Sequence, residues 1–360
     1  MVNVHIDDII PEDVSAQAIR DRQVTMRSHP DYDLNILNYG KTVAWENAWN
    51  EATLNCRGLV IDGNGYVVAR PFRKFFNYGQ DGAPTIGLDD EIVATDKADG
   101  SLGILVPTDD GYIIATRGSF TSEQAIWATE KWRSTYDLAF IPNPDWTYLF
   151  EIVYEANRIV LDYAGMEDLI LLGAVETETG RSVPLDQVVH NGPFPSWPGP
   201  TVLTLPYKTL REALEAPPRP NAEGMVIWHP ATDSRVKIKQ DSYLRLHRIV
   251  SNLNEKTVWE HLVSGLPLDE LTAELPDEFL LWVRQYASSL EAEVASRASA
   301  IESLYETILG GLPEGWSRKD FAAAASAHGP LAPFLFSVLD GHDCRPRLLQ
   351  ALKPSSVVQE

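Results

Sequence analysis

The spacing of apolar residues between about residue 55 and residue 240 constrains the fold more than any other feature. Apolar residues there mostly alternate with polar ones or form short β-branched runs bounded by Gly, Asp, Asn and Pro, which is typical of strands joined by tight turns. The spacing predicts a hairpin over 57–70 with a Gly63-Asn64-Gly65 turn, and another over 102–116 with a turn at Asp109-Asp110-Gly111. Further strands are predicted over 148–154, 169–175, 224–228 and 235–239.

Helical spacing in this region is confined to 122–135 and 209–215, and beyond about residue 241 it replaces the strand patterns. The helical part is rich in Ala, Leu and Glu, most clearly over 279–309 and 321–328. We therefore expect an α+β fold, in which a domain of mainly antiparallel sheets over residues 1–248 precedes an all-helical domain over residues 249–360.

Composition restricts the class of protein. The chain has 360 residues, of which 44% are hydrophobic and 22% charged, enough for two domains with cores of their own. No apolar run approaches the roughly 20 residues of a membrane-spanning helix, and the first residues lack the features of a secretory signal. We expect a soluble, cytoplasmic protein with no membrane partner, whose two cysteines, Cys56 and Cys344, are reduced thiols.

The net charge limits how a nucleic acid could bind. The formal charge of −21 argues against a broad nucleic-acid surface, because phosphate binding requires clustered Lys and Arg. Any contact of that kind must be local, among the basic residues of particular segments.

Lys97 lies in the segment Lys97-Ala98-Asp99-Gly100-Ser101, between two predicted strands, so its side chain is expected to project from a turn. A lysine in such a turn can simply be solvated. It can also be a nucleophile, in which case its amine must be neutral, and nearby cations or a metal ion can lower its pKa to provide that form. The segment alone does not decide between the two interpretations.

Other charged residues occupy positions that require a partner. Glu151 lies in an otherwise apolar strand, where an unpaired carboxylate is costly. Lys237 and Lys239 are two positions apart on a strand and face the same side, so they repel one another unless an anion lies between them or the face is open to solvent. Glu223 precedes Gly224, which permits close approach of a ligand, but a bare Glu-Gly pair is a weak signal and is more typical of a simple turn.

Taken in chain order, these segments resemble the motif series of covalent nucleotidyltransferases, and more narrowly the bacteriophage T4 RNA ligase 1 family. The Arg-Gly pair and the Lys-Phe-Phe-Asn segment upstream of Lys97 are what separate that family from DNA ligases and mRNA capping enzymes. The segments are Cys56-Arg57-Gly58-Leu59, Arg70-Pro71-Phe72-Arg73-Lys74-Phe75-Phe76-Asn77, Lys97 to Ser101, Arg117-Gly118-Ser119, Leu149-Phe150-Glu151, Glu223-Gly224-Met225-Val226 and Val236-Lys237-Ile238-Lys239.

The resemblance implies that the first domain is an adenylyltransferase domain in which AMP becomes attached to Lys97. It implies that Arg57 and Lys74 hold the β and γ phosphates of ATP, where cationic groups can neutralise the charge of the leaving pyrophosphate. Lys237 and Lys239 would hold the α-phosphate and assist catalysis there.

The same resemblance assigns the rest of the nucleotide site. Asp99 and Gly100 would lie against the nucleotide, and Arg117, where the family often has Lys, would contact the ribose. Glu151 would contact the ribose or a water on a metal ion, and Glu223 a metal-bound water. The ion would be Mg²⁺ or Mn²⁺, which prefer oxygen ligands.

The implied reaction is ATP-dependent RNA ligation, for which no obligate protein partner is evident. An RNA 5′-phosphate receives AMP from Lys97, and a 3′-hydroxyl then displaces AMP to seal the strand, in RNA repair with a broken tRNA loop as one candidate substrate. The helical domain would select the RNA, by analogy of fold alone. The reaction would take place in the cytoplasm, or in the host cytoplasm for a phage-encoded chain.

Two main alternatives stay open at the level of sequence, and a protein AMP-transferase or a regulatory ATP sensor is a third. A DNA ligase or capping enzyme also forms a lysine–nucleotide adduct, but these normally have a small β-barrel after the last lysine motif, whereas the residues after Lys239 have helical spacing. A non-catalytic protein that binds RNA ends is the second alternative. Retention of Lys97, Glu151 and Glu223 together with both lysines of the last motif disfavours it.

Overall fold

A computed structural model of the chain describes residues 4–157, 159–250, 253–272 and 277–354. The chain divides into two compact units, Met1–Val250 and Ser251–Glu360. None of the helices in the described stretches combines the length and apolar character that a membrane crossing requires.

The described residues contain strands and helices with the following bounds. The strands are β1 (Val24–Ser28), β2 (Leu34–Tyr39), β3 (Arg57–Asp62), β4 (Val67–Ala69), β5 (Phe76–Asn77), β6 (Val93–Asp96), β7 (Ser101–Thr108), β8 (Gly111–Ala115), β9 (Trp146–Val153), β10 (Asp168–Glu176), β11 (Ser182–Val183), β12 (Gly224–His229) and β13 (Ser234–Lys239). The α-helices are α1 (Glu12–Arg20), α2 (Lys41–Glu46), α3 (Glu51–Asn55), α4 (Glu123–Lys131), α5 (Leu185–His190), α6 (Leu210–Leu214), α7 (Asp241–Val250), α8 (Glu255–Ser264), α9 (Leu268–Leu271), α10 (Asp277–Gly311), α11 (Arg318–Ser326), α12 (Ala332–Leu339) and α13 (Arg345–Ala351).

The first two sheets of the larger unit pack against each other. The first has the order β1-β2-β3-β4 and the second β11-β10-β9-β7-β8, with antiparallel pairing throughout. Ile36 and Val60 of the first sheet share a buried cluster with Ile104 and Leu149 of the second. The opposite face of the second sheet is covered by another cluster that includes Trp132. The second sheet is therefore buried on both faces, which explains its long apolar runs.

The third sheet has the order β5-β13-β12-β6, in which β5 and β13 are parallel and the other pairs antiparallel. Leu210 and Ala213 of α6 pack on it together with Ile227 and Val236. The chain passes from this sheet to the second one through a single turn at 97–100, between β6 and β7. That turn joins the two sheets at the segment that contains Lys97.

The smaller unit has a core of its own. Helices α10 to α13 contribute buried apolar residues to one cluster, among them Val294, Ile301, Phe321, Leu335 and Leu348. Their spacing along α10 places Val294 and Ile301 on one face of the helix, as expected for side chains seven positions apart.

The structure confirms the predicted α+β class, the antiparallel sheets and the helical character of the C-terminal part. Ser122 and Thr209 cap the predicted helices α4 and α6, because each side chain accepts a hydrogen bond from the backbone N–H three residues on. Helical spacing was expected at two places between residues 55 and 240, but α5 is a further helix there. Its six residues, which follow Pro184, are too few to produce a recognisable periodicity.

We predict that Trp132→Ala destabilises the larger unit by about 3–5 kcal/mol, the usual cost of removing a large aromatic side chain from a core. Trp132 is fully buried and contacts the rings of Phe140, Phe150 and Trp197. Urea denaturation followed by circular dichroism measures the change. Leu138→Ala, at a fully exposed side chain, is the control. It should change the free energy of unfolding by less than about 0.5 kcal/mol. Equal effects of the two substitutions would contradict the placement of Trp132 in the core.

Candidate active site

Three charged residues meet because of the register of the third sheet. Lys97 directly follows β6, Glu223 directly precedes β12, and Lys239 is the last residue of β13. In the antiparallel pairing Gly224 is opposite Lys239 and Met225 is opposite Asp96. The ends of three adjacent strands therefore bring the two lysines to either side of Glu223.

The carboxylate of Glu223 is shared between the two ammonium groups. Its Oε1 lies 2.8 Å from Nζ of Lys97 and 2.8 Å from Nζ of Lys239. The Glu223 side chain is 2% exposed, Lys239 is 6% exposed and Lys97 is 22% exposed. Screening by water is small at this depth, so the arrangement of the three groups is strongly constrained by their charges.

Gly224 must be glycine for Glu223 to reach this position. Its φ is +154°, a backbone conformation that other residues rarely adopt, and a Cβ there would collide with the carbonyl oxygen of Ile238 on the neighbouring strand. The Glu-Gly pair, which was a weak signal in the sequence, is thus a close approach of two strands rather than a simple turn.

Glu151 belongs to β9 of the second sheet and binds the backbone of the turn that carries Lys97. Its Oε1 accepts a hydrogen bond of 2.9 Å from the backbone N–H of Gly100. A Cβ at Gly100 would collide with the carbonyl oxygen of Ile152, so only glycine allows the turn to lie this close to β9. The partner that the sequence required for Glu151 is therefore the backbone of the Lys97 turn.

The charges of Lys97 and Glu151 are coupled. Burial lowers the pKa of Lys97, but the carboxylates of Glu223 and Glu151 together outweigh burial and raise this pKa above its ordinary value. Burial raises the pKa of Glu151 to about 7, although the nearby charge of Lys97 opposes the rise. The sequence suggested that surrounding groups lower the pKa of Lys97; the protein groups alone do the reverse, and Lys97 must lose a proton before it can act as a nucleophile.

Asp99 fixes the turn that carries Lys97 through hydrogen bonds of its side chain and its backbone. Its Oδ2 accepts hydrogen bonds of 2.9 Å from the backbone N–H groups of Val160 and Leu161, and its Oδ1 accepts one of 2.8 Å from the hydroxyl of Tyr243. Its own backbone N–H donates to the hydroxyl of Tyr163. Both oxygens of this buried carboxylate thus bind the fold itself, and contact of Asp99 with a nucleotide stays a prediction.

Two of the cations predicted to bind the nucleotide, Lys74 and Arg117, lie beside aromatic rings. Nζ of Lys74 lies 4.8 Å from the ring centroid of Trp49, 5.2 Å from that of Phe76 and 5.7 Å from that of Tyr39. Arg117 donates a hydrogen bond of 2.8 Å to the hydroxyl of Tyr39. The electron-rich faces of these rings stabilise the buried ammonium group of Lys74, and no sequence signal distinguished Trp49 or Tyr39 from ordinary core aromatics.

Arg57 and Lys237 lie on strands of two different sheets. Arg57 is opposite Asn38 in the first sheet, and its guanidinium lies 5.6 Å from the ring centroid of Phe75. Lys237 is opposite Asn77 of β5 in the parallel pair. Because Lys237 and Lys239 are two positions apart on β13, they share a face of the third sheet, as the sequence predicted.

The described residues contain no group of three or more His, Cys, Asp or Glu side chains that could hold a metal ion by themselves. The chemistry of the site nevertheless fits a hydrated divalent ion. Glu151 and Glu223 are carboxylates that both act on the charge of Lys97, and carboxylate oxygens are the ligands that such an ion prefers. An ion would complete its coordination with water and phosphate oxygens.

Comparison with known proteins decides the family. Residues 55–244 match the sequence model of an RNA ligase family, that of T4 RNA ligase 1. The chain belongs to this RNA ligase family. The match confirms the predicted family and the prediction of an RNA ligase, and it favours this activity over a DNA ligase or a capping enzyme.

Individual relatives are distant. The chain is 26% identical over 281 residues to the predicted bifunctional polynucleotide kinase/RNA ligase of Autographa californica nuclear polyhedrosis virus, an alignment that covers 71% of this chain and 39% of that protein. It is 23% identical to the RNA ligase of Rhodothermus phage RM378, with 94% of this chain and 92% of that protein covered. Among solved structures, an archaeal ATP-dependent RNA ligase aligns with a TM-score of 0.48 and 14% identity over 94% of this chain and 98% of that one.

We predict that Glu223→Gln lowers the pKa of Lys97, because it removes the nearest carboxylate, whose charge and hydrogen bond raise this pKa against the opposing effect of burial. Competitive acetylation followed by mass spectrometry measures the reactivity of individual lysines. Lys97 should react at least about tenfold faster at neutral pH in the variant, as expected for a fall of one pKa unit. Lys256, which is half exposed and paired with Glu260, should react equally in both proteins. An unchanged rate at Lys97 would show that Glu223 does not control its protonation.

Proposed function

We propose that this RNA ligase family member uses ATP to attach AMP to Lys97 and then joins an RNA 5′-phosphate to an RNA 3′-hydroxyl. The observation that carries the proposal is the position of Nζ of Lys97, 2.8 Å from the buried Glu223 carboxylate that also binds Lys239. A nucleophile, a proton acceptor and a phosphate-binding cation thus lie in direct contact.

In the first step the nitrogen of Lys97 attacks the α-phosphorus of ATP. A nitrogen–phosphorus bond forms as the bond from the α-phosphorus to the bridging oxygen breaks, and pyrophosphate leaves. Glu223 is hydrogen-bonded to the ammonium group and is therefore placed to accept its proton. When bound beside Glu151 and Glu223, Mg²⁺ or Mn²⁺ supplies positive charge that favours the neutral amine and offsets phosphate charge.

Different cations would bind the different phosphates of ATP. Lys239 and Lys237 share one face of β13 and would hold the α-phosphate, where negative charge develops during transfer. Lys74 and Arg57 would receive the β and γ phosphates, exchanging contact with aromatic rings for ionic contact. Arg117 would contact the ribose from its place beside Tyr39.

The next two steps transfer AMP and seal the RNA. An oxygen of the RNA 5′-phosphate attacks the phosphorus held by Lys97, which releases the lysine and produces an adenylylated RNA end. The 3′-hydroxyl of the other end then attacks the RNA 5′-phosphorus, and AMP leaves. We assign RNA selection to the helical unit, Ser251–Glu360, and RNA repair, with a broken tRNA as a candidate substrate, to the whole chain.

Covalent labelling tests the first step. We predict that incubation with α-labelled ATP and Mg²⁺ places label on the denatured polypeptide, that α-labelled GTP does not, and that Lys97→Ala removes the label completely. Lys208→Ala is the matched control, because Lys208 is an exposed lysine of the same unit, and it should label as the wild type does. Labelling by GTP would indicate a capping enzyme, and no label with either nucleotide would favour an RNA-end-binding protein.

Sealing of a pre-adenylylated RNA tests the last step separately. We predict that Lys97→Ala fails to circularise a single-stranded 5′-phosphate RNA with ATP but still circularises the same RNA carrying a 5′-adenylyl group, since that substrate already contains the bond to AMP. Chelation of divalent ions should stop both reactions of the wild type. Preference for DNA ends over RNA ends in this assay would contradict the proposed substrate.

A further inference from the structure

We propose that Arg219, which lies outside every motif segment, is a positioning residue for the attachment of AMP to Lys97. It connects the chain neighbours of the three residues that meet in the site. This inference rests on the proposed function, because it specifies what holds Lys97, Glu223 and Lys239 in their reactive arrangement.

The guanidinium of Arg219 bridges two of the three strand ends. Its Nη2 donates a hydrogen bond of 2.7 Å to Oδ1 of Asp96 and another of 2.7 Å to the carbonyl oxygen of Gly224. Asp96 directly precedes Lys97, and Gly224 directly follows Glu223. The same carbonyl of Gly224 accepts the backbone N–H of Lys97, so the bridge acts at the point where the two segments already touch.

The backbone of Arg219 is fixed to the third strand end. Oε1 of Gln240 accepts the backbone N–H of Arg219, and Nε2 of Gln240 donates to the carbonyl oxygens of Arg219 and of Ala222. Gln240 directly follows Lys239, and its own backbone N–H donates to the carbonyl of Glu223. Arg219 and Gln240 together therefore tie Lys97, Glu223 and Lys239 to one another through their immediate neighbours.

The loop that carries Glu223 has few backbone hydrogen-bond donors. It runs from α6 to β12 and contains prolines at 217, 218 and 220, which have no backbone N–H to donate. The side chain of Asn221 also holds the loop, because it exchanges hydrogen bonds with the backbone of Asp162. Loss of the Arg219 guanidinium would remove the side-chain hydrogen bonds from this loop to Asp96 and to the carbonyl of Gly224, and would leave the backbone around Glu223 held by Gln240 and Asn221.

Arg219 acts through other residues rather than on the nucleotide. The Nη2 atom is occupied by Asp96 and Gly224, and the Asp96 carboxylate balances the guanidinium charge. Its effect is therefore on geometry: displacement of a reacting group by about 1 Å can reduce a rate by about a hundredfold. Binding of ATP, which depends on the cations of the site, should be affected much less.

The test compares rates of self-adenylylation with α-labelled ATP over a range of ATP concentrations. For Arg219→Ala we expect the maximum rate to fall by about 10- to 100-fold, while the ATP concentration that gives half of that rate changes by less than about threefold. Arg211→Ala is the matched control, since Arg211 forms a two-point ion pair with Asp89 on the exposed side of α6. It should keep the wild-type rate, because surface pairs contribute little.

A double-mutant cycle with Asp96→Ala shows whether Arg219 acts through Asp96. If it does, the double variant is little slower than Arg219→Ala alone, because both substitutions break one bridge. Arg219→Lys, which keeps the charge but reaches fewer acceptors, should recover part of the rate with an unfolding midpoint equal to that of the wild type. Wild-type rates in Arg219→Ala, or losses that simply add in the double variant, would overturn the proposal.

Hydrogen exchange separates this inference from the proposed function. Segment 219–224 should exchange faster in Arg219→Ala than in Arg211→Ala, whether or not the protein takes up label. Unchanged exchange in this segment would overturn the positioning role even in an active enzyme. A wild-type chain that takes no label would instead refute AMP attachment, while faster exchange in the variant would still support the bridge. If Arg219→Ala does not fold, the same comparison is made with Arg219→Lys.

Discussion

The site depends on one buried carboxylate that is shared by two ammonium groups. Glu223 lies between Lys97 and Lys239 at equal distances of 2.8 Å. Removal of Glu223 would leave both ammonium groups without their shared counter-charge in a place that water hardly reaches, which is costly. Their positions are in turn fixed by the pairing of three strands, because the register of β12 with β13 and β6 determines where each strand ends. The electrostatics and the sheet therefore support the same arrangement.

The turn that carries Lys97 also connects two sheets, so that the second sheet helps to fix its position. Gly100 lies against β9 closely enough for Glu151 to accept its backbone N–H, while Asp99 binds the backbone of residues 160 and 161. Lys97 is thus held by contacts from both sheets, although its side chain stays partly exposed. A lysine with a fixed backbone and an accessible amine suits the proposed attack on ATP along a defined line.

Much of this could be predicted from the sequence, but not all. Alternation and glycine turns predicted the hairpins formed by β3 with β4 and by β7 with β8, and the lysine spacing of β13 predicted a shared face. The aromatic surroundings of Lys74 and the bridge from Arg219 to Asp96 were not predictable. These contacts join residues far apart in the chain, and Trp49 or Arg219 has no local pattern that differs from a core aromatic or a loop cation. Three-dimensional proximity supplies the information that periodicity lacks.

The strong acidity of the chain is compatible with an RNA substrate because the charges are unevenly placed. The overall charge of −21 disfavours binding along the length of a nucleic acid, where affinity grows with the number of neutralised phosphates. The residues proposed for the site have the opposite balance, since the cations among them outnumber the carboxylates and Asp99 is already engaged by the fold. In the proposed reaction, such a chain would repel most of an RNA molecule and attract the few phosphates that enter the site. Recognition would then depend on the ends of the strand, which are the parts on which a ligase acts. The cations are Arg57, Lys74, Lys97, Arg117, Lys237 and Lys239, and the carboxylates are Asp99, Glu151 and Glu223.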